Sequence, residues 1–173
     1  MTVNAAEKEF VITRSFSAPR SLVWKAWTEL EHFSKWWGPT GFELINCSMD
    51  LRPGGRFHYC MRAPNGMEMW GLFTYQEIVP EERIVFHNSF SNPQGGIDTA
   101  PWEPRWPKEV RNVMTLTEED GMTTLHLRGA PLDADEVQMA LYLAAFESMN
   151  MGFGGTFDQL DDYLHRMNGK DTA

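Results

Sequence analysis

Few side chains in this chain are arranged for chemistry. The five histidines, His32, His58, His87, His126 and His165, never recur at i, i+4, and none stands beside carboxylates or thiols that would complete a metal site. No metal and no cofactor is assigned. Cys47 and Cys60 form no CxxC pair, so they read as buried reduced thiols rather than as a disulfide or redox couple. The GxSxG elbow, the HExxH helix and the phosphate-binding Gly-Lys loop are absent. Gly152, Gly154 and Gly155 around Phe153 look superficially like a phosphate loop, but they interrupt an apolar stripe instead of following a strand. Asp50 and Arg52 are spaced to form a turn-stabilising ion pair. No catalytic residue is assigned. Acid-base catalysis would require a titratable group inside the fold with a perturbed pKa, and His58, His87, Asp50 and Glu68 are the candidates.

These groups must be positioned by two kinds of element. Met139, Leu143, Phe146, Met149, Phe153, Phe157, Leu160 and Leu164 recur at steps of three or four, which is one apolar stripe on a long helix over residues 136–167. Residues 42–49, 56–61, 69–79, 83–90, 110–117 and 123–127 read as short strands joined by glycine- and proline-containing turns, so an antiparallel sheet is the stripe's partner. An unbroken helix of that length would run roughly 48 Å, whereas an eight-residue strand covers about 26 Å. The glycine run at 152–155 is the expected kink, or the point where backbone approaches the sheet closely. Ahead of the sheet, residues 9–16 form a first strand, Leu22, Val23, Ala26, Trp27 and Leu30 line a helix opened by Pro19, and a short helix spans residues 31–37. Residues 91–107 are a long loop whose tryptophans either cover a cavity mouth or anchor the loop.

Register assigns the faces. A two-residue turn at Asp120-Gly121 sets Leu116 opposite Leu125 and Met114 opposite Leu127, with Thr115 and His126 on the other face. In the hairpin around Arg52-Pro53-Gly54-Gly55, an extra residue absorbed at Gly54 or Gly55 gathers Ile45, Cys47, Met49, Phe57, Tyr59 and Met61 on one face and keeps Cys47 from facing Cys60. His165 falls in the last helical turn, where a cation suits the dipole, and His58 and His87 are candidates for a polar contact inside a cavity.

A chain of 173 residues with eleven Met, eleven Phe and seven Trp can bury a sizeable core. Its formal charge of −9, with 15 basic residues scattered among 24 acidic ones, argues against a nucleic-acid partner. No apolar run is long enough to cross a bilayer and the opening residues lack a signal-peptide pattern, so no membrane partner and a cytoplasmic location are expected. A homodimer is allowed but not specified.

The chain is similar to the START-like (SRPBCC) superfamily, in the branch related to the C-terminal domain of the activator of the heat-shock-protein-90 ATPase. The resemblance rests on Ala18-Pro19 with Val23-Trp24-Lys25-Ala26-Trp27, on Trp36-Trp37-Gly38-Pro39 with Gly41-Phe42, and on Met49-Asp50-Leu51-Arg52-Pro53-Gly54-Gly55. Gly66 before Trp70-Gly71, Tyr75 with Glu77-Ile78, Pro80-Glu81-Glu82-Arg83, and Met151-Gly152-Phe153 leading to Leu160 and Tyr163-Leu164 extend it over nearly the whole chain. It implies an α+β helix-grip fold, START-like or birch-pollen-allergen-like. A curved antiparallel sheet and two short N-terminal helices hold one long C-terminal helix. One such domain is expected over residues 9–167, after a disordered or extended segment 1–8 and before a flexible tail 168–173. The superfamily binds lipids, polyketides or other hydrophobic molecules between sheet and helix. Trp37, Phe42, Tyr59, Met61, Trp70, Phe86, Met114, Leu116, Leu125, Met139, Phe146, Met149 and Phe153 are the expected lining. The stripe up to Phe153 would form the cavity wall and Phe157 to Leu164 ordinary core. Two alternatives stay open: a cyclase or hydrolase acting in the same cavity, and a chaperone-interaction module using Trp24 and the loop tryptophans, associated with stress response.

Overall fold

The computed structural model describes residues 9–38 and 40–171, with side chains described up to Met167. Strand β1 (Phe10–Phe16) leads into helices α1 (Arg20–Thr28) and α2 (Leu30–Phe33). Strands β2 (Glu43–Met49), β3 (Arg56–Arg62), β4 (Glu68–Val79), β5 (Arg83–Ser91), β6 (Ile97–Asp98), β7 (Val110–Glu119) and β8 (Met122–Pro131) follow. Helices α3 (Glu136–Ala144) and α4 (Phe146–Asp171) end the described chain. The sheet runs β1-β8-β7-β5-β4-β3-β2, with β6 paired to β5 and every pairing antiparallel. This is the α+β helix-grip arrangement. Segment 1–8 lies outside the described residues, as do residues 172 and 173, and α4 carries the backbone on to Asp171 through most of the expected tail. His165 therefore stands well short of the helix end.

The β7–β8 hairpin has the expected register: Leu116 opposes Leu125, Met114 opposes Leu127 and Thr115 opposes His126. Asp120 and Gly121 both take positive φ, 53° and 77°, as a tight hairpin turn matching strand twist requires. At the β2–β3 hairpin Gly54 takes φ +84°, and Met49 opposes Phe57 while Cys47 opposes Tyr59. Cys60 pairs with Asn46, so the thiols do not face each other. One expectation there needs correcting. The register shifts between Leu44 and Asn46, leaving Ile45 as an unpaired extra residue and putting Leu44 opposite Met61. A second bulge was invisible in an apolar run, Leu44-Ile45, in which either residue satisfies the pattern.

The core lies where α1, α2 and the C-terminal part of α4 close over the inner face of the sheet. Trp27, Phe33 and Trp36 pack together with centroids 5.1–5.5 Å apart, and Phe157, Leu160 and Leu164 of α4 are buried among them and the sheet. Trp36 Nε1 donates to the Ala26 carbonyl at 3.1 Å, while the buried Trp27 and Trp37 indole N–H groups have no partner among the described residues. Residues 91–107 are more regular than a simple loop. Asn92 Oδ1 accepts from the backbone N–H groups of Gln94 and Gly96, both at 2.9 Å, a local turn device that returns Ile97 and Asp98 to pair with Ser91 and Phe90.

The helix breaks elsewhere than expected. The glycine run is continuous helix inside α4, and the chain turns at Ala145, with φ −92° and ψ 0°. The Ala145 N–H reaches only three residues back, to the Tyr142 carbonyl. Asp135 caps the start of α3, accepting from the Gln138 N–H while the Gln138 side chain accepts from the Asp135 N–H. Tyr142 is buried, donates its hydroxyl to the Gly129 carbonyl at 2.8 Å, and so ties α3 to β8. Phe146 then sits on Phe10 at 5.6 Å. Tyr142 and Phe146 are four residues apart, and their partners Gly129 and Phe10 are paired across β8 and β1, so both side chains dock on one stretch of the sheet.

Candidate functional site

A cleft of about 450 Å³ lies between sheet and helices beside the α3–α4 junction at Ala145. Its floor is sheet: Asn88 and Phe90 from β5, Val110 and Asn112 from β7. One wall is helical, with Tyr142 and Ala145 on one side of the bend and Ser148, Met149 and Phe153 on the other. The loop after β6 supplies Trp102 and Trp106. Trp106 packs on the Tyr142 ring at 5.7 Å, so it anchors the loop. Trp102 meets Phe90 edge-on at 4.9 Å and stays 62% exposed, at the mouth. A smaller lobe of about 220 Å³ adjoins, sharing Asn88, Phe90, Trp102, Trp106 and Val110 and adding Tyr59, Met61, Met69, Ser89 and Pro107.

Of the residues expected to line a cavity, Met149 and Phe153 line the main cleft and Tyr59 and Met61 the adjoining lobe. Phe86, Met114, Leu116 and Leu125 are fully enclosed core. Trp37 stands among core aromatics, 5.2 Å from Phe33 and 6.4 Å from Phe153. Phe146 fills the space between Phe10 and Tyr142, beside the cleft. Phe42 is half-buried near Gly38. Met139 lies in a separate shallow hollow with Asp135, Glu136 and Leu143. Trp70 stacks on His58 at 5.0 Å on the outer sheet face. Asn88, Phe90, Val110, Asn112, Tyr142, Ala145 and Ser148 were missed. Alternation could have found the asparagines, because Asn88 is two residues from Phe86 and Asn112 two from Met114, both inward. A search restricted to apolar types passed over them.

The histidine candidates are corrected by the same parity. Tyr59 points inward, so His58 points out, where Nε2 meets Ser91 Oγ and the Asn92 carbonyl, both at 3.1 Å. His87, between inward Phe86 and Asn88, points out toward Glu109, 3.6 Å away. Asp50 and Arg52 form the expected exposed pair at 2.8 Å, and Glu68 pairs with Arg62 at 3.4 Å, also exposed. No carboxylate, imidazole, amine or thiol appears among the residues lining the main cleft. Its one titratable group, the Tyr142 phenol, is pushed well above its ordinary range by burial, with Glu9 adding to the effect. In the lobe, burial pushes the Tyr59 phenol up to about 12. The Trp37 indole N–H is close enough to ease that shift slightly, yet outside hydrogen-bonding geometry. Both hydroxyls stay neutral at physiological pH and act only as hydrogen-bonding groups. Among the described residues, no group of three or more His, Cys, Asp or Glu could hold a metal ion, and no helix is long and apolar enough to cross a membrane.

The frame recurs in other proteins. A crystal structure of a protein from Nitrosomonas europaea is 25% identical, with 96% of this chain and 99% of that one covered at a TM-score of 0.74. One from Mycobacterium smegmatis is 25% identical, with 93% of both chains covered and a TM-score of 0.72. An AHSA1 protein from Silicibacter pomeroyi, 16% identical over 92% of this chain and 99% of that one, shares the fold at a TM-score of 0.68. No curated protein matches the chain by sequence. The family model described as Activator of Hsp90 ATPase homolog 1-like protein matches residues 17–165, from the turn before α1 to within two turns of the helix end. With most of its length matched and its START-like frame in place, the chain belongs to the Activator of Hsp90 ATPase homolog 1-like family.

Proposed function

We propose that this protein binds a hydrophobic small molecule, lipid-like, polyketide-like or aromatic, in the cleft between sheet and helices. The observation that carries this reading is the cleft itself. Its volume of about 450 Å³ far exceeds the ~30 Å³ share of one water, and its walls are mostly aromatic and aliphatic, as small-molecule sites are. Met149 adds a side chain that repacks readily around irregular shapes. The cyclase or hydrolase reading finds little support, because the lining supplies hydrogen bonds but no group that exchanges a proton near neutral pH. The chaperone-interaction reading draws on the family description and on Trp102 at the mouth. Trp24, its other expected contact, packs against the core.

The test is titration of delipidated protein with uncharged N-phenyl-1-naphthylamine, read by probe emission and tryptophan quenching. Saturable one-to-one binding is expected, weakened at least about tenfold (~1.4 kcal/mol) by Met149→Lys, with far-UV circular dichroism unchanged. Non-saturable binding, or binding indifferent to Met149→Lys, overturns the reading.

A further inference from the structure

The floor of the cleft carries an amide pair that the fold does not use up. The β5–β7 register sets Asn88 opposite Val110 and Asn112 opposite Phe86, so the two amides meet diagonally on the inner face. Asn112 Nδ2 donates to the Val110 carbonyl at 3.2 Å and to Asn88 Oδ1 at 3.1 Å. A carbonyl only accepts, which fixes the orientation of the Asn112 amide, and Asn112 in turn fixes that of Asn88. Both donors of Asn112 are thus engaged, and so is the acceptor of Asn88. Asn112 Oδ1 and Asn88 Nδ2 are left without partners among the described residues, although Asn112 is only 7% exposed. Gly129 makes room for this. A Cβ there would stand 2.5 Å from Asn112 Oδ1 and 3.2 Å from the Tyr142 hydroxyl. Neither atom is among the enclosed side-chain atoms that lack a partner, so both are open to the cleft, and a ligand that fills it and displaces water must supply a donor to the one and an acceptor to the other.

Resting on the reading of the cleft as a ligand site, we infer that its ligand is a neutral ring compound carrying both a hydrogen-bond donor and a hydrogen-bond acceptor. The donor bonds Asn112 Oδ1 and the acceptor takes an N–H of Asn88. Neutrality follows because no cationic side chain lines the cleft, and a carboxylate drawn into it would lose its hydration without gaining a counter-charge. A ring fits the slot between Phe90, Trp102 and Trp106 better than a flexible chain, since it has little rotamer freedom to lose. Fatty acids are therefore selected against, and hydroxyaryl ketones are favoured.

Isothermal titration with three probes of one skeleton tests this: 6-hydroxy-1-tetralone, tetralin, and tetralin-2-carboxylate. The hydroxyketone should bind about tenfold to a hundredfold tighter than tetralin, as two net hydrogen bonds imply, and the carboxylate weaker than either. In Asn88→Leu, and in the isosteric Asn88→Asp, the hydroxyketone-to-tetralin affinity ratio should fall toward one. Equal wild-type affinities for hydroxyketone and tetralin, a ratio unmoved in both variants, or preference for the carboxylate overturns this inference and leaves hydrophobic binding standing. Failure of all three probes and of the naphthylamine to bind overturns the ligand-site reading and this inference together.

Discussion

Alanine at Gly152 and Gly154 should make the protein more stable. Both glycines lie inside α4 with right-handed backbone, and a Cβ built on either meets nothing within 4 Å. Glycine in a helix interior costs about 1 kcal/mol against alanine, chiefly through the freedom of the unfolded chain. Gly152→Ala with Gly154→Ala is expected to add about 1–2 kcal/mol. Gly155 is the contrast, because its Cβ would stand 3.0 Å from Thr40 Oγ1, and displacing that hydroxyl offsets the propensity gain. Urea unfolding followed by tryptophan emission and circular dichroism should show the midpoint of the double variant rise with an unchanged slope, and Tm rise by about 2–8 °C for a chain of this size. The single Gly155→Ala variant should show no gain. A lower midpoint or an altered slope in the double variant would mean that the run serves as a hinge, and equal stabilisation by Gly155→Ala would refute the steric argument.

Gly71→Ala should have the opposite sign. Gly71 is paired with Tyr59 across β3 and β4, and its Cβ would fall 2.3 Å from Tyr59 Cζ. Moving the ring would break its stacking on Phe57 at 4.9 Å, so a loss of about 1–3 kcal/mol is expected in urea unfolding, and a change below about 0.5 kcal/mol would contradict it. Stability should also fall in alkali. The Tyr59 phenol moves from an ordinary 10 to about 12 on folding, and burial raises Tyr75 and Tyr142 further. A raised folded pKa favours the native state while the phenol is neutral, so the contribution of Tyr59, roughly 3 kcal/mol, is complete below pH 10 and lost as pH rises through 12. Absorbance titration at 295 nm should show the tyrosines of folded protein ionising later than those in urea, and coincident curves would exclude the burial described here.

The parts of this fold legible in sequence are those set by parity and turn chemistry. Asp120-Gly121 dictated a two-residue turn, and the partners of Leu116 and Met114 followed without further information. Glycine at 54 announced a bulge. Ile45 could not, because its neighbour Leu44 is equally apolar and nothing in the pair says which one faces inward. The helix break was misplaced for a physical reason. Glycine lowers helix propensity but does not forbid helix, so the run at 152–155 stays helical, whereas the interruption falls at Ala145, a residue type whose high helix propensity gives no local sign of it. The cleft was half-legible: Met149, Phe153, Tyr59 and Met61 came from the apolar pattern, and the loop tryptophans from their setting. Asn88 and Asn112 needed strand parity applied to polar residues.

The interior also falls into two unequal parts. The large core under the C-terminal part of α4 holds the fold together, whereas Phe10, Val110 and Tyr142 form a small satellite cluster beneath the cleft, bordered by Trp106, Phe146 and Met149. With so few enclosed side chains, the satellite is the part that opens at low free energy. Amide protons of α3 should therefore exchange through a partial unfolding that leaves α1 and the rest of the sheet protected. Entry to the cleft then becomes a local event, its rate set by the satellite and insensitive to how firmly the main core is packed.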